Sequence, residues 1–206
     1  MSKKNGMSAR SFALGMITAL LWVVAPASGA EATPLWHING KVLEEPEAAL
    51  GHATESSLAI PGLTTSCKPF VYKMTIFGSG GSVSSLPLSN CFTNSNACTV
   101  ASIEAQKLPW SAKLVTVGTS NYLVIENFNL AILYAGEECA LGETTATVTG
   151  TAGGLYDDVT ESVTFNATTF KATKTQLKAL GSSVEWTGVF TMLTTGLHIG
   201  ASLTVS

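Results

Sequence analysis

The chain has 206 residues, 46% hydrophobic and 12% charged, with 11 Lys and Arg against 14 Asp and Glu. A net charge of −3 and a single Arg leave little with which to grip phosphate, so nucleic acid and anionic membranes are poor partners.

Residues 1–30 read as a signal peptide. Lys3, Lys4 and Arg10 form a positive n-region, and residues 12–25 are an uncharged apolar run. That run falls short of the roughly 20 residues a membrane span needs. Pro26 ends it, and Ser28 and Ala30 supply the small residues that signal peptidase requires, placing cleavage before Glu31. No Cys follows the cleavage point and no second Arg is present, which points to a Sec-type route rather than a lipoprotein or twin-arginine one. The rival reading is an uncleaved N-terminal anchor. Cleavage removes three basic residues and no acidic one, leaving a mature charge of −6 and no Arg. Residues 31–206 then form one domain, secreted or at the cell surface, with no further membrane span and a strand-like C-terminus without a sorting tail.

Thr, Val and Gly dominate the mature domain, in short alternating segments broken by turn residues, the mark of strands. Residues 36–38 and 41–43 flank Asn39-Gly40, a type I′ hairpin signal. Residues 44–54, with Pro46, read as a loop or short helical turn, and residues 56–60 as a strand stopped by Pro61-Gly62. Phe70, Tyr72, Met74 and Ile76 share one strand face, Gly78 to Gly81 turn the chain, and residues 83–88 return. Strands are expected over 98–103, 110–117, 122–133 and 143–150, with a break at Gly153-Gly154. Residues 159–169 resume the alternation, with Val163, Phe165 and Ala167 on one face. Residues 173–180, ending at Gly181, are the one short-helix candidate. Residues 184–192 and 197–205 read as a closing hairpin around Thr194-Thr195-Gly196. About ten strands with little helix make an all-β antiparallel sandwich or barrel.

Cys67, Cys91, Cys98 and Cys139 are even in number in an exported chain, which indicates two disulfides. None of their spacings suits a four-thiolate zinc site. The turn at Gly78 to Gly81 pairs residues whose numbers sum to about 159, which brings Cys67 beside Cys91 and leaves Cys98 for Cys139. The alternative joins Cys91 to Cys98 across the short loop and Cys67 to Cys139.

Trp36-x-Ile38-Asn39-Gly40-Lys41-x-Leu43, Pro61-Gly62-Leu63-Thr64-Thr65-Ser66-Cys67, Cys91, Cys98-Thr99-Val100 and Cys139-x-Leu141-x-x-Thr144 together resemble a set of uncharacterised secreted proteins of soil actinobacteria. The resemblance implies bacterial export and a β-rich fold, and brings no activity, ligand or catalytic residue.

Catalytic signatures are sparse. A G-x-S-x-G elbow is lacking. His37, His52 and His198 are not spaced for shared metal binding and read as surface residues. The Gly78-Ser79-Gly80-Gly81 run joins two strands and is a turn, since a phosphate loop needs a following helix. Glycosidases need only two carboxyl groups. The candidates are Glu104, Glu126, Glu137, Glu138, Asp157, Asp158, Glu161 and Glu185, with Glu126 foremost because it interrupts an apolar stretch. Strand alternation and Asn127 also permit Glu126 an outward place or a bulge. Asp157, Asp158 and Glu161 form a weak calcium candidate, read more simply as a solvated acidic turn. Trp36, Trp110, Trp186, Tyr72, Tyr122 and Tyr134 read as core, although such residues also build carbohydrate faces. The expected protein is thus a non-catalytic exported domain with a binding or structural role, without cofactor, and with its ligand or partner unknown. The alternatives are a carboxylate-dependent glycan hydrolase and a carrier of small apolar ligands in a barrel cavity.

Overall fold

A computed structural model describes residues 33–166 and 177–206. The signal-peptide reading, residues 173–176 of the expected helix, and Ala167 lie outside them. Sixteen strands occur among the described residues: β1 (Trp36–Ile38), β2 (Lys41–Val42), β3 (Glu47–Ala53), β4 (Ser56–Ile60), β5 (Leu63–Cys67), β6 (Phe70–Phe77), β7 (Gly80–Ser85), β8 (Cys91–Thr93), β9 (Thr99–Ala105), β10 (Trp110–Val117), β11 (Ser120–Ala135), β12 (Thr144–Asp157), β13 (Ser162–Phe165), β14 (Leu177–Ala179), β15 (Ser182–Thr194) and β16 (Leu203–Val205). Among these residues the protein is all-β. No helix in them is long and apolar enough to cross a membrane.

Eight antiparallel strands close on themselves. The ladder runs β13-β12-β11-β10-β7-β6-β3-β15, and β15 pairs back onto β13. An eight-stranded ring has an interior that side chains just fill. Its centre is aromatic: Trp186 stacks on Phe165 at 4.0 Å and also packs on Phe70, Phe128 and Phe190. Bulk on one wall is matched by small residues on another. The inward positions of β3 include Ala49, Gly51 and Ala53, and a Cβ on Gly51 would lie 2.2 Å from the Tyr72 ring. Outward positions, such as Thr145, Thr147 and Thr149 of β12 or Glu185, Thr187 and Thr191 of β15, are mainly polar. That is the reverse of a transmembrane barrel, whose outer face is apolar.

The long strands outrun the ring. A bulge between Ile125 and Phe128, with Asn127 at φ 58°, marks where β11 leaves β10. Beyond it β11 pairs with β9, while the first half of β15 pairs with β4, which carries β5 and β8. This second lobe holds a buried contact from β5 to β11, the Thr65 and Tyr134 hydroxyls at 2.6 Å. It also holds both disulfides, Cys67–Cys91 and Cys98–Cys139. The first bridge follows the register expected from the β6–β7 turn: partner numbers sum to 157 at Phe77 with Gly80 and to 158 at Cys67 with Cys91.

A separate sheet, β16-β1-β2, caps the ring where β6 turns into β7. The Trp36 backbone N–H donates to the Gly78 carbonyl at 2.9 Å, and its indole Nε1 donates to the Gly80 carbonyl at 3.0 Å. Asn39 and Gly40 take φ of 50° and 75°, the positive values a type I′ turn requires.

Four expectations are corrected. Residues 47–53, read as loop or helical turn, are strand β3; its inward small residues disguise the alternation. Gly153-Gly154 does not break β12, which runs through it. A Cβ on Gly154 would lie 2.3 Å from Val163 Cγ1, so packing inside the ring requires the glycine there, not a turn. Leu177 to Ala179, expected to be helical, form β14 and pair with β15. The closing hairpin does not form: residues 197–200 are turns, and β16 pairs with β1 instead of β15.

Candidate functional site

Glu47 begins β3 and points inward at the end of the strand, where its side chain is 1% exposed. A buried carboxylate needs several donors to remain ionised. All of them come from the loop after β15. The His198 backbone N–H donates to Glu47 Oε1 at 3.2 Å, and His198 Nδ1 donates to Oε2 at 3.0 Å. The Gly196 backbone lies against the same carboxylate and favours its charged form. Gly196 can approach this closely only because it lacks a side chain, since a Cβ would lie 2.4 Å from Oε1. Burial by itself pushes the Glu47 carboxyl up; the two His198 hydrogen bonds, the His198 charge and the Gly196 backbone together outweigh it and hold it below its usual value. Thr194 Oγ1 adds a hydrogen bond to the His198 carbonyl at 2.5 Å. This network shapes residues 196–200, beyond the last backbone bond to β3, from the Thr195 N–H to the Ala48 carbonyl at 2.7 Å.

The His198 side chain is half exposed, and its Nε2 has no partner among the described residues. It faces an open groove of about 770 Å³ between this loop and the stretch from β1 to β3, with Val42, Leu43, Pro46 and Leu197 supplying apolar surface. With Nδ1–H given to Glu47, Nε2 is the ring's remaining hydrogen-bonding atom. The described residues lining the groove include no Ser, Thr or Cys that this nitrogen could activate. Leu197 is 80% exposed and Ile199 79%, so the loop presents two large apolar side chains to solvent.

Alternation alone puts His198 on the polar face of a strand; it sits instead in a turn, held by a carboxylate 151 residues earlier. Glu47 is not among the sequence candidates, and nothing local to either residue announces the pair. His37 lies on β1, with Nδ1 3.1 Å from the Leu35 carbonyl. His52 is exposed on β3 rather than in a loop. The structure does not gather the three.

The carboxylate candidates are dispersed. Glu126 sits at the β11 bulge, half exposed, paired with Lys113 and 3.5 Å from Ser111 Oγ. Glu104 and Glu185 face outward on β9 and β15, and Glu137 and Glu138 are exposed in a turn before Cys139. Asp157 Oδ1 accepts the N–H groups of Val159 (2.8 Å) and Thr160 (3.2 Å). Asp158 Oδ1 accepts the Val205 N–H at 2.6 Å, tying the turn to the cap sheet. Among the described residues no group of three metal-ligating side chains converges, Asp157, Asp158 and Glu161 included. The Gly78–Gly81 segment joins β6 to β7, as expected of a turn. Trp36, Trp110, Trp186, Tyr72 and Tyr134 are buried core residues, whereas Tyr122 is only partly buried. No family model, curated protein or solved structure matches this chain.

Proposed function

We propose that this chain is an exported, non-catalytic β-barrel domain that acts by binding, or as a structural component, in the medium or at the cell surface. The observation that carries this reading is the pair of disulfides stapling the second lobe, where β4, β5, β8 and β9 extend past the closed ring. Such bonds persist in oxidising compartments and are rare where thiols are kept reduced. The n-region, apolar run and small-residue cleavage site at Ala30 support the same reading. So does the resemblance to secreted actinobacterial proteins. An interior packed with aromatic rings favours a rigid scaffold over a carrier. The scatter of the carboxylates, each engaged with backbone, a lysine or solvent, favours surface recognition over glycan hydrolysis.

The test is expression of the full-length gene in a bacterial host with a Sec pathway. Soluble protein is expected in the medium or periplasm, with Glu31 as its first residue and no titratable thiol. Full-length chain held in the membrane fraction overturns the reading. So does turnover of a polysaccharide that is lost on Glu126→Gln.

A further inference from the structure

We infer that the groove between the β1–β3 stretch and the 195–200 loop is a docking site for a peptide segment that sets a lysine or arginine beside a bulky apolar residue; this rests on the reading of the domain as an exported binding module. Two features of the groove select that occupant. Its apolar surface is held in place: Leu197 stands 80% exposed on a loop that two hydrogen bonds from His198 fix to the buried Glu47 carboxylate. An exposed leucine in a fixed position needs no further ordering when it is covered, so its burial contributes more to affinity. The rim carries the exposed carboxylates of Glu44 and Glu45, with Lys41 the one Lys or Arg among the described residues that line it, in a mature chain of charge −6. That field attracts a cation and repels an acidic peptide. The volume of about 770 Å³ admits a few side chains, not a folded domain.

The chain is recovered from the culture medium and titrated with N-acetyl-Leu-Lys-Leu-Lys-amide while the Leu197 and Val42 methyl resonances are followed by NMR. The acidic counterpart with Glu in place of Lys and the side-chain-poor Gly-Lys-Gly-Lys peptide are run in parallel. The basic apolar peptide is expected to shift both methyl signals, and its affinity to fall with added salt. Leu197→Ser is expected to weaken it about tenfold. Glu44→Gln combined with Glu45→Gln is expected to weaken it about threefold at low salt and to remove most of the salt dependence. All three residues are exposed, so the thermal transition is expected to stay in place and report that the fold is intact. Equal binding of the acidic peptide overturns the proposal. Basic-peptide affinity indifferent to both variants does so as well. Because the protein is collected from the medium, the two readings fail separately. A chain retained in the membrane removes both, whereas a secreted chain whose groove no peptide perturbs removes the docking site alone.

Discussion

Glu47 and His198 lie 151 residues apart in the chain and 3.0 Å apart in space. The contact joins the first strand of the barrel wall to the loop after its last long strand. The loop shape, the exposure of Leu197 and the orientation of the imidazole all depend on one buried carboxylate.

Replacing that carboxylate tests its role. Glu47→Gln keeps the volume but removes the charge and sets an amide N–H against His198 Nδ1. A loss of about 1–2 kcal/mol in urea-unfolding free energy is expected, together with faster amide exchange at Gly196 and His198. The pH dependence has a definite sign. A carboxyl held below its ordinary value of 4.5 contributes stability that is present above that value and lost as pH falls through its folded value. The difference in stability between wild type and Glu47→Gln is expected to hold steady from about pH 7 to pH 5 and to shrink with further acidification. A difference that does not change with acid would show that the carboxylate is not the stabilising form.

Glu126 contrasts with Glu47. Its ion pair with Lys113 is partly solvated, and both side chains are more than a third exposed. Such pairs contribute little. Glu126→Gln and Lys113→Gln are each expected to change unfolding free energy by less than about 1 kcal/mol and to leave the far-ultraviolet circular dichroism unchanged. A cooperative loss of fold in either variant would show that the bulge depends on the pair.

The two bridges differ in the loops they close, 24 residues for Cys67–Cys91 and 41 for Cys98–Cys139. In the chain-entropy account each stabilises by roughly 2–4 kcal/mol, and the longer loop contributes about 0.5 kcal/mol more. Paired Cys-to-Ser variants measured by denaturant unfolding should show that order. Non-reducing peptide maps should show these two linkages, and a Cys91–Cys98 peptide would contradict the structure.

Gly51 faces the Tyr72 ring, whose hydroxyl donates to Met192 Sδ at 3.1 Å. Gly51→Ala is expected to destabilise by about 1–3 kcal/mol through overpacking. Adding Tyr72→Leu should recover part of that loss by making room, and additive losses in the double variant would place the strain elsewhere.

Much of the architecture is legible in the residues themselves. Period-two alternation marks the inward faces of β6, β10 and β15, because a strand that buries one face must alternate. Asn39-Gly40 fixes the first hairpin through its backbone preferences, and the β6–β7 turn carries its register as far as Cys67 and Cys91. These are local rules, with causes lying within a few residues or one hairpin. The β3 strand is hidden because its inward residues are mostly small, and their size answers to Tyr72 and Phe190 on the two strands that flank it, β6 and β15. Gly154 looks like a break for the same reason, since Val163 and Phe165 occupy the space that its side chain would need.

What only the tertiary structure decided was closure and the site. Pairing of β13 with β15 turns a sheet into a ring, and no local pattern encodes which distant strands meet. A second long-range ladder, β15 with β3, brings the end of β15 beside the start of β3, so that Glu47 meets the loop carrying His198. By itself the sequence determined a disulfide-bearing all-β chain. The long-range ladder decided which carboxylate would be buried, because burial and hydrogen bonding depend on neighbours that the chain acquires only when the barrel closes.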